Sequence, residues 1–154
     1  MKTCIEMLIS HNVACREPLL RTLEKLSPDQ LTEDVDVGRS SIKNILIHLV
    51  DTEMYWISLL KGLKEFHLRP TDFKDIQSIR EKWCEVESQT LEYIENLPEE
   101  HLYHVRNVVW GERTVSFTIG KVLVHMATHE THHRGLLIGL IRLFGLEPPD
   151  VNML

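Results

Sequence analysis

Four of the nine histidines in this 154-residue chain crowd into one short stretch, at positions 125, 129, 132 and 133. Within it, HETHHRG from His129 to Gly135 satisfies the H-E-x-x-H pattern, in which two histidines one helical turn apart bind zinc and the glutamate is a general base for hydrolysis. At about 100° per residue, His129 and His133 lie roughly 40° apart, on a face shared with Val122, Met126, Leu136 and Leu140. Glu130 is turned about 100° from His129 and so leaves that face. A zinc protease also needs a third ligand downstream. Only 21 residues follow His133, and their carboxylates are Glu147 and Asp150 in a Pro-rich tail. Glu130-Thr131-His132-His133 also reads as E-x-x-H, but a di-iron carboxylate site requires a second copy and two further helical glutamates, and no second copy exists. The protease and di-iron readings are both set aside.

The elements that must carry the histidines read as four long helices. The first covers about residues 3 to 26, with Ile5, Leu8, Ile9, Leu19, Leu20, Leu23 and Leu26 near helical spacing and an expected kink at Pro18. SPDQ at 27 to 30 opens a helical turn, Gly38 follows, and Ser40 or Ser41 is the N-cap candidate for a second helix that stops at Gly62. Pro70 and a cap at Thr71 or Asp72 lead into a third helix, whose seam is Ile76, Ile79, Trp83, Val86, Thr90, Ile94 and Leu97. After Pro98, Val108, Val109, Val115 and Phe117 predict two short extended pieces around Gly111. The last helix runs from about Thr118 to Phe144, closed by Gly145 and Pro148-Pro149. The expected fold class is all-α: a single-domain four-helix bundle over 1–154, with a short hairpin-like connection before the last helix.

Composition narrows the partners. A formal charge of −6 without a dense Lys/Arg run argues against nucleic acid or anionic lipid, and no apolar run reaches the roughly 18 residues of a membrane span. The polar residues Glu6, Ser10 and His11 interrupt what a secretory signal would keep apolar, so a cytoplasmic location is expected. Cys4, Cys15 and Cys84 show no CxxC spacing and are read as reduced thiols, not a disulfide framework or zinc site. A small-molecule partner is the expectation that remains.

The pair on the last helix needs a third neutral donor, and the second helix offers His48 at the edge of its apolar face, on a stripe with Ile45, Thr52, Tyr55 and Leu59. Three imidazoles from two helices suit a divalent ion such as zinc, nickel or iron and leave coordination positions for water or substrate.

The segments SIKNILIHLVDTEMYW and VLVHMATHETHHRG, the latter followed by an apolar run and G-x-x-P-P, resemble the signatures of the DinB superfamily of small metal-binding helical bundles. HNVACREPLLRTLEKLSPDQL is similar to that family's first helix and turn, and VVWGERTVSFTIGKVLVH to its hairpin, so the resemblance extends over nearly the whole chain. It implies a metal held by His48, His129 and His133. It also implies either S-transfer from a low-molecular-weight thiol (bacillithiol, mycothiol or glutathione), slightly favoured, or metal-dependent hydrolysis, in a homodimer. The alternative is a non-catalytic metal- or small-ligand-binding stress-response bundle. Hydrolysis would be helped by a base, for which Asp51, Tyr55 and His125 are candidates if the fold brings them close. His125 and His132 are expected beside the site or in solvent, and His11, His67, His101 and His104 without a specific role. Arg134 is expected in a structural ion pair and Gly135 and Gly139 where helices approach closely. Trp56, Trp83 and Trp110 are expected in core or pocket wall.

Overall fold

A computed structural model describes residues 1–36, 41–64 and 66–154. The expected Gly38 turn and the Ser40 cap lie outside the described residues. Helix α1 (Lys2–Leu23) runs unbroken through Pro18, where Thr22 Oγ1 donates to the proline carbonyl at 3.0 Å. Ser27 and Gln30 then form a reciprocal capping box that opens the short α2 (Pro28–Thr32). Helix α3 (Ile42–Lys61) starts at Ser41, whose Oγ accepts from Asn44 N at 3.2 Å, and stops at Gly62, whose φ of 69° a side chain would disfavour.

The next helix starts later than the sequence suggested. Asp72 uses its carboxylate on Arg69, accepting from the backbone N–H at 2.9 Å, and so closes a 3-10 turn at Pro70–Asp72. Phe73 is then extended and buried, and the cap of α4 (Ile76–Glu95) is Asp75, which accepts from Ser78 N at 2.8 Å. A second 3-10 segment, Glu99–Tyr103, precedes the hairpin of β1 (Val105–Trp110) and β2 (Arg113–Thr118). These strands pair antiparallel, with Trp110 opposite Arg113 and Gly111 (φ 62°) in the turn. Thr118 caps α5 (Ile119–Leu143) through Lys121 N at 3.2 Å.

Around the bundle the order is α1, α5, α3, α4, so α3 and α5 are neighbours. One apolar cluster joins the start of α3 and α4 to the ends of α1 and α5. The other joins the start of α1 and α5 to the ends of α3 and α4, with Phe117 of the hairpin. Helices α3 and α4 therefore run in the same direction, and their connection must travel back along the bundle. It passes α3 at mid-height, where Asp51 Oδ1 accepts from Leu68 N at 2.7 Å. The expected all-α bundle with a hairpin before its last helix is what forms. Among the described residues no helix is long and apolar enough to cross a membrane. Gly135 and Gly139 do not mediate a close approach. Both are exposed on α5, and a Cβ on either would meet nothing within 4 Å.

Candidate metal centre

The two apolar clusters meet at a polar mid-level, and the histidines stand on its α3–α5 side. His129 and His133, four apart on α5, project from the same face by helical geometry. His48 approaches from α3. His48 Nε2 and His129 Nε2 are 3.0 Å apart, and the ring centroids are 4.8 Å (48–129), 4.8 Å (48–133) and 4.5 Å (129–133). One ligating atom from each lies within 4.8 Å of the others, so the three could hold one metal ion. His133 is buried; His48 and His129 are half-buried and face an opening.

Electrostatics fit that use. Burial, followed by the neighbouring His133, His48, His125 and His132, pushes His129 down from 6.5 to about 3. It is neutral near pH 7, the form in which imidazole ligates metals. Two facing nitrogens at 3.0 Å can share at most one proton, but both can sit about 2.0–2.1 Å from one ion. Among the described residues the group of donors contains no carboxylate and no thiolate. One turn along α3, Thr52 Oγ1 lies 3.4 Å from His48 Nδ1, placing a hydroxyl behind the ligating edge.

The opening is a pocket of about 370 Å³ lined by His48, Asp51, Thr52, Tyr55, Trp56, His67, Trp110, His125 and His129. All three candidate bases reach it. Asp51 is engaged by the crossover, with Leu68 N on one oxygen and His67 Nδ1 at 3.2 Å from the other. The Tyr55 hydroxyl accepts from Trp110 Nε1 at 2.8 Å. His125 stands exposed, its ring 5.6 Å from that of His129. His132 is exposed too, 5.1 Å from the His133 ring. His67 was expected to do nothing specific, yet it joins the wall and stacks on Tyr55 at 5.9 Å and 14°. Its place depends on the crossover path, which periodicity does not encode. His11 meets the Val151 carbonyl at 3.1 Å, and His101 and His104 stack on each other before the hairpin.

Glu130 leaves the histidine face as the helical projection requires, but it is buried against α1. Arg16 donates to Glu130 (2.6 Å), Glu53 (2.8 Å) and Glu87 (2.9 Å), reaching all three other long helices. Glu53 also accepts from Trp83 Nε1 at 2.9 Å and Thr90 Oγ1 at 2.8 Å. Burial pushes Arg16 down, but the Glu130 and Glu53 carboxylates outweigh it and hold the guanidinium above its ordinary value. Burial likewise pushes Glu53 up, opposed by Arg16 and the two donors. Arg134 donates to Asn12 Oδ1 at 2.8 Å and lies 3.9 Å from Glu130, consistent with a structural ion pair. Committed to two arginines, Glu130 is not placed to serve as a base. The sequence reading missed this network, although its signal was present: Asn12 and Arg16, Glu53, and Glu130 each interrupt the buried stripe of their helix.

The comparison that decides the relationship covers every residue: the DinB family profile matches 1–154. The chain belongs to the DinB family. An uncharacterised Bacillus subtilis protein, YizA, is 21% identical over 144 residues, 94% of this chain and 90% of the relative. Among solved structures, a conserved protein from Enterococcus faecalis superposes with a TM-score of 0.72 at 15% identity, covering 90% of this chain and 95% of its own. A DinB-like protein from Bacillus subtilis gives 0.64 at 22% identity, with 94% and 96% covered. At these identities the structural likeness establishes the DinB-type bundle and leaves the chemistry to the site.

Proposed function

We propose that this DinB-family chain is a divalent-metal-dependent enzyme that uses His48, His129 and His133 as protein ligands and acts on small molecules, with a low-molecular-weight thiol as the attacking group. The observation that carries the reading is the donor set together with the wall beside it. His48 and His129, with buried His133 behind them, open onto a pocket whose lining among the described residues includes no cysteine, serine or lysine. Cys15 is buried, and Cys4 and Cys84 are exposed outside that lining. Asp51 is engaged by Leu68 N and His67, Tyr55 by Trp110 and Thr52 by His48, so the reading takes its nucleophile from outside the chain. A bound zinc, nickel or iron ion would keep its full charge in such a set and lower the pKa of a thiol or of water. The helices set the two Nε2 atoms 3.0 Å apart, the Thr52 hydroxyl lies 3.4 Å from His48 Nδ1, and Trp56 and Trp110 line the pocket beside them.

Hydrolysis is the second reading, favoured by exposed His125 in the same pocket, from which an imidazole can accept a proton. The test starts with metal content of the purified protein and of each His→Ala variant, the wild type holding one ion and each variant losing it. Cobalt-substituted protein is then titrated with bacillithiol, mycothiol and glutathione. A sulfur-to-metal charge-transfer band that is absent in His133→Ala supports thiol ligation. Turnover of an ester or amide without thiol transfers the assignment to hydrolysis. Metal binding with neither result leaves a non-catalytic metal-binding bundle, and full stoichiometry in His48→Ala removes the cross-helix centre.

A further inference from the structure

We propose that the pocket beside the histidines takes a small anion carrying a flat aromatic ring, with Trp110 as the residue that selects the ring. This rests on the metal reading above and names the substrate class of the same site. A volume of about 370 Å³ lies in the range of small-molecule sites. Its wall is mostly π surface: Tyr55, Trp56 and Trp110, with imidazoles between them and, among the described residues, neither lysine nor arginine. The one carboxylate among its described residues, Asp51, is engaged by Leu68 N and His67. The strongest fixed charge would then be the cation held by three neutral donors, which attracts an anionic group and repels an ammonium.

Trp110 supplies the selectivity for a ring. It is 45% exposed, yet strand alternation sets it on the same hairpin face as Val108, which packs on the core, and so over the bundle. Its indole plane is fixed at two points. Nε1 donates to Tyr55 OH at 2.8 Å, and the ring meets Trp56 edge-on at 6.0 Å and 70°. Its exposed indole surface is therefore held at the pocket wall. A flat ring can cover that surface with little ordering cost, because the hairpin and Tyr55 have already fixed the indole.

Calorimetric titration of the zinc-loaded protein with benzoate, cyclohexanecarboxylate, acetate and benzylammonium tests the inference, with zinc stoichiometry measured on each sample. Benzoate is expected to bind about threefold to tenfold more tightly than cyclohexanecarboxylate, acetate more weakly still, and benzylammonium not at all. Trp110→Ala should erase the benzoate preference and Trp110→Phe should keep most of it, both retaining wild-type zinc and far-UV circular dichroism. Equal affinity for benzoate and cyclohexanecarboxylate, no carboxylate binding by loaded protein, tighter binding of benzylammonium, or an unchanged preference in Trp110→Ala overturns the inference while leaving the metal centre intact. Failure to take up zinc overturns the metal reading itself and this inference with it.

Discussion

At the middle of the bundle, α5 carries two polar clusters facing different neighbours, and they solve the problem of burial in opposite ways. Toward α1, Glu130 meets Arg16, and the network closes through Glu53, Glu87, Trp83 and Thr90. Donors there meet acceptors and positive charge meets negative. Toward α3, His129 and His133 meet His48, so like meets like, and burial together with mutual repulsion keeps His129 uncharged. A network that is complete within the chain explains itself as structure: a buried ion that has its partners has no need of a ligand. A convergence of imidazole nitrogens is explained by something that accepts several lone pairs at once. Burial alone would have ranked the Arg16 cluster above the histidines, and complementarity reverses that order.

If the contrast is right, removing one member has opposite consequences on the two sides. Arg16→Met strands Glu53 and Glu130 in a site where Arg16 is only 6% exposed, and should cost about 3–5 kcal/mol in urea unfolding. His129→Gln in chelator-treated protein should stay within about 1 kcal/mol of wild type. Similar losses for the two variants would erase the distinction.

Zinc and protons should act on the histidine side. Zinc at a hundred times its Kd should stabilise wild type by about 2.7 kcal/mol, an increment that chelation removes and His48→Ala never shows. In metal-free protein, His129 has a folded pKa of about 3 against an ordinary 6.5. Between those values the unfolded chain binds the extra proton, so stability falls as pH is lowered from about 6.5 toward 3 and levels off above 6.5. His129→Gln should flatten that part of the urea-midpoint profile relative to wild type. Parallel profiles would show that the imidazole carries no such penalty.

These expectations also mark how far the sequence reaches. His129 and His133 follow from helical spacing, and His48 from an edge position on the second helix, because a local repeat determines which face a side chain occupies. Setting Glu130 apart from them was legible for the same reason. Its partner was not: Arg16 is 114 residues away, and a charge inside an apolar stripe announces that a partner exists without saying where. The cap at Asp75 was missed because Asp72 is spent on Arg69, a choice between two local uses of the same residue type. His67 was missed because only the parallel run of α3 and α4 brings the crossover past Asp51.

Glu130 offers a smaller, more discriminating test. In an H-E-x-x-H hydrolase, changing Glu to Gln removes the base, leaves the metal and barely touches the fold. Here Glu130→Gln should leave zinc stoichiometry at the wild-type level and lower unfolding stability by about 1–3 kcal/mol, since it weakens charge-assisted bonds to Arg16. Lost turnover with unchanged stability would restore the hydrolase reading of the motif.

The smallest expected effect lies at the boundary between the clusters. A second cavity, of about 10 Å³, lies between the histidines and the ion network, lined by Arg16, Glu53, Glu130, Thr52 and His129 among others. Thr52 lines that cavity, and its hydroxyl lies 3.4 Å from His48 Nδ1. Thr52→Val keeps the branched shape and removes only the hydroxyl. If that hydroxyl orients His48, zinc affinity should fall about tenfold, the lower end for loss of a group supporting a metal ligand. Metal-free stability should move by about 1 kcal/mol or less, the net worth of the one long, part-buried hydrogen bond that the hydroxyl makes. Unchanged affinity would mean that packing alone sets the imidazole. A tenfold loss confined to the metal-loaded state would identify the Thr52 hydroxyl as the group that holds His48 in its ligating orientation.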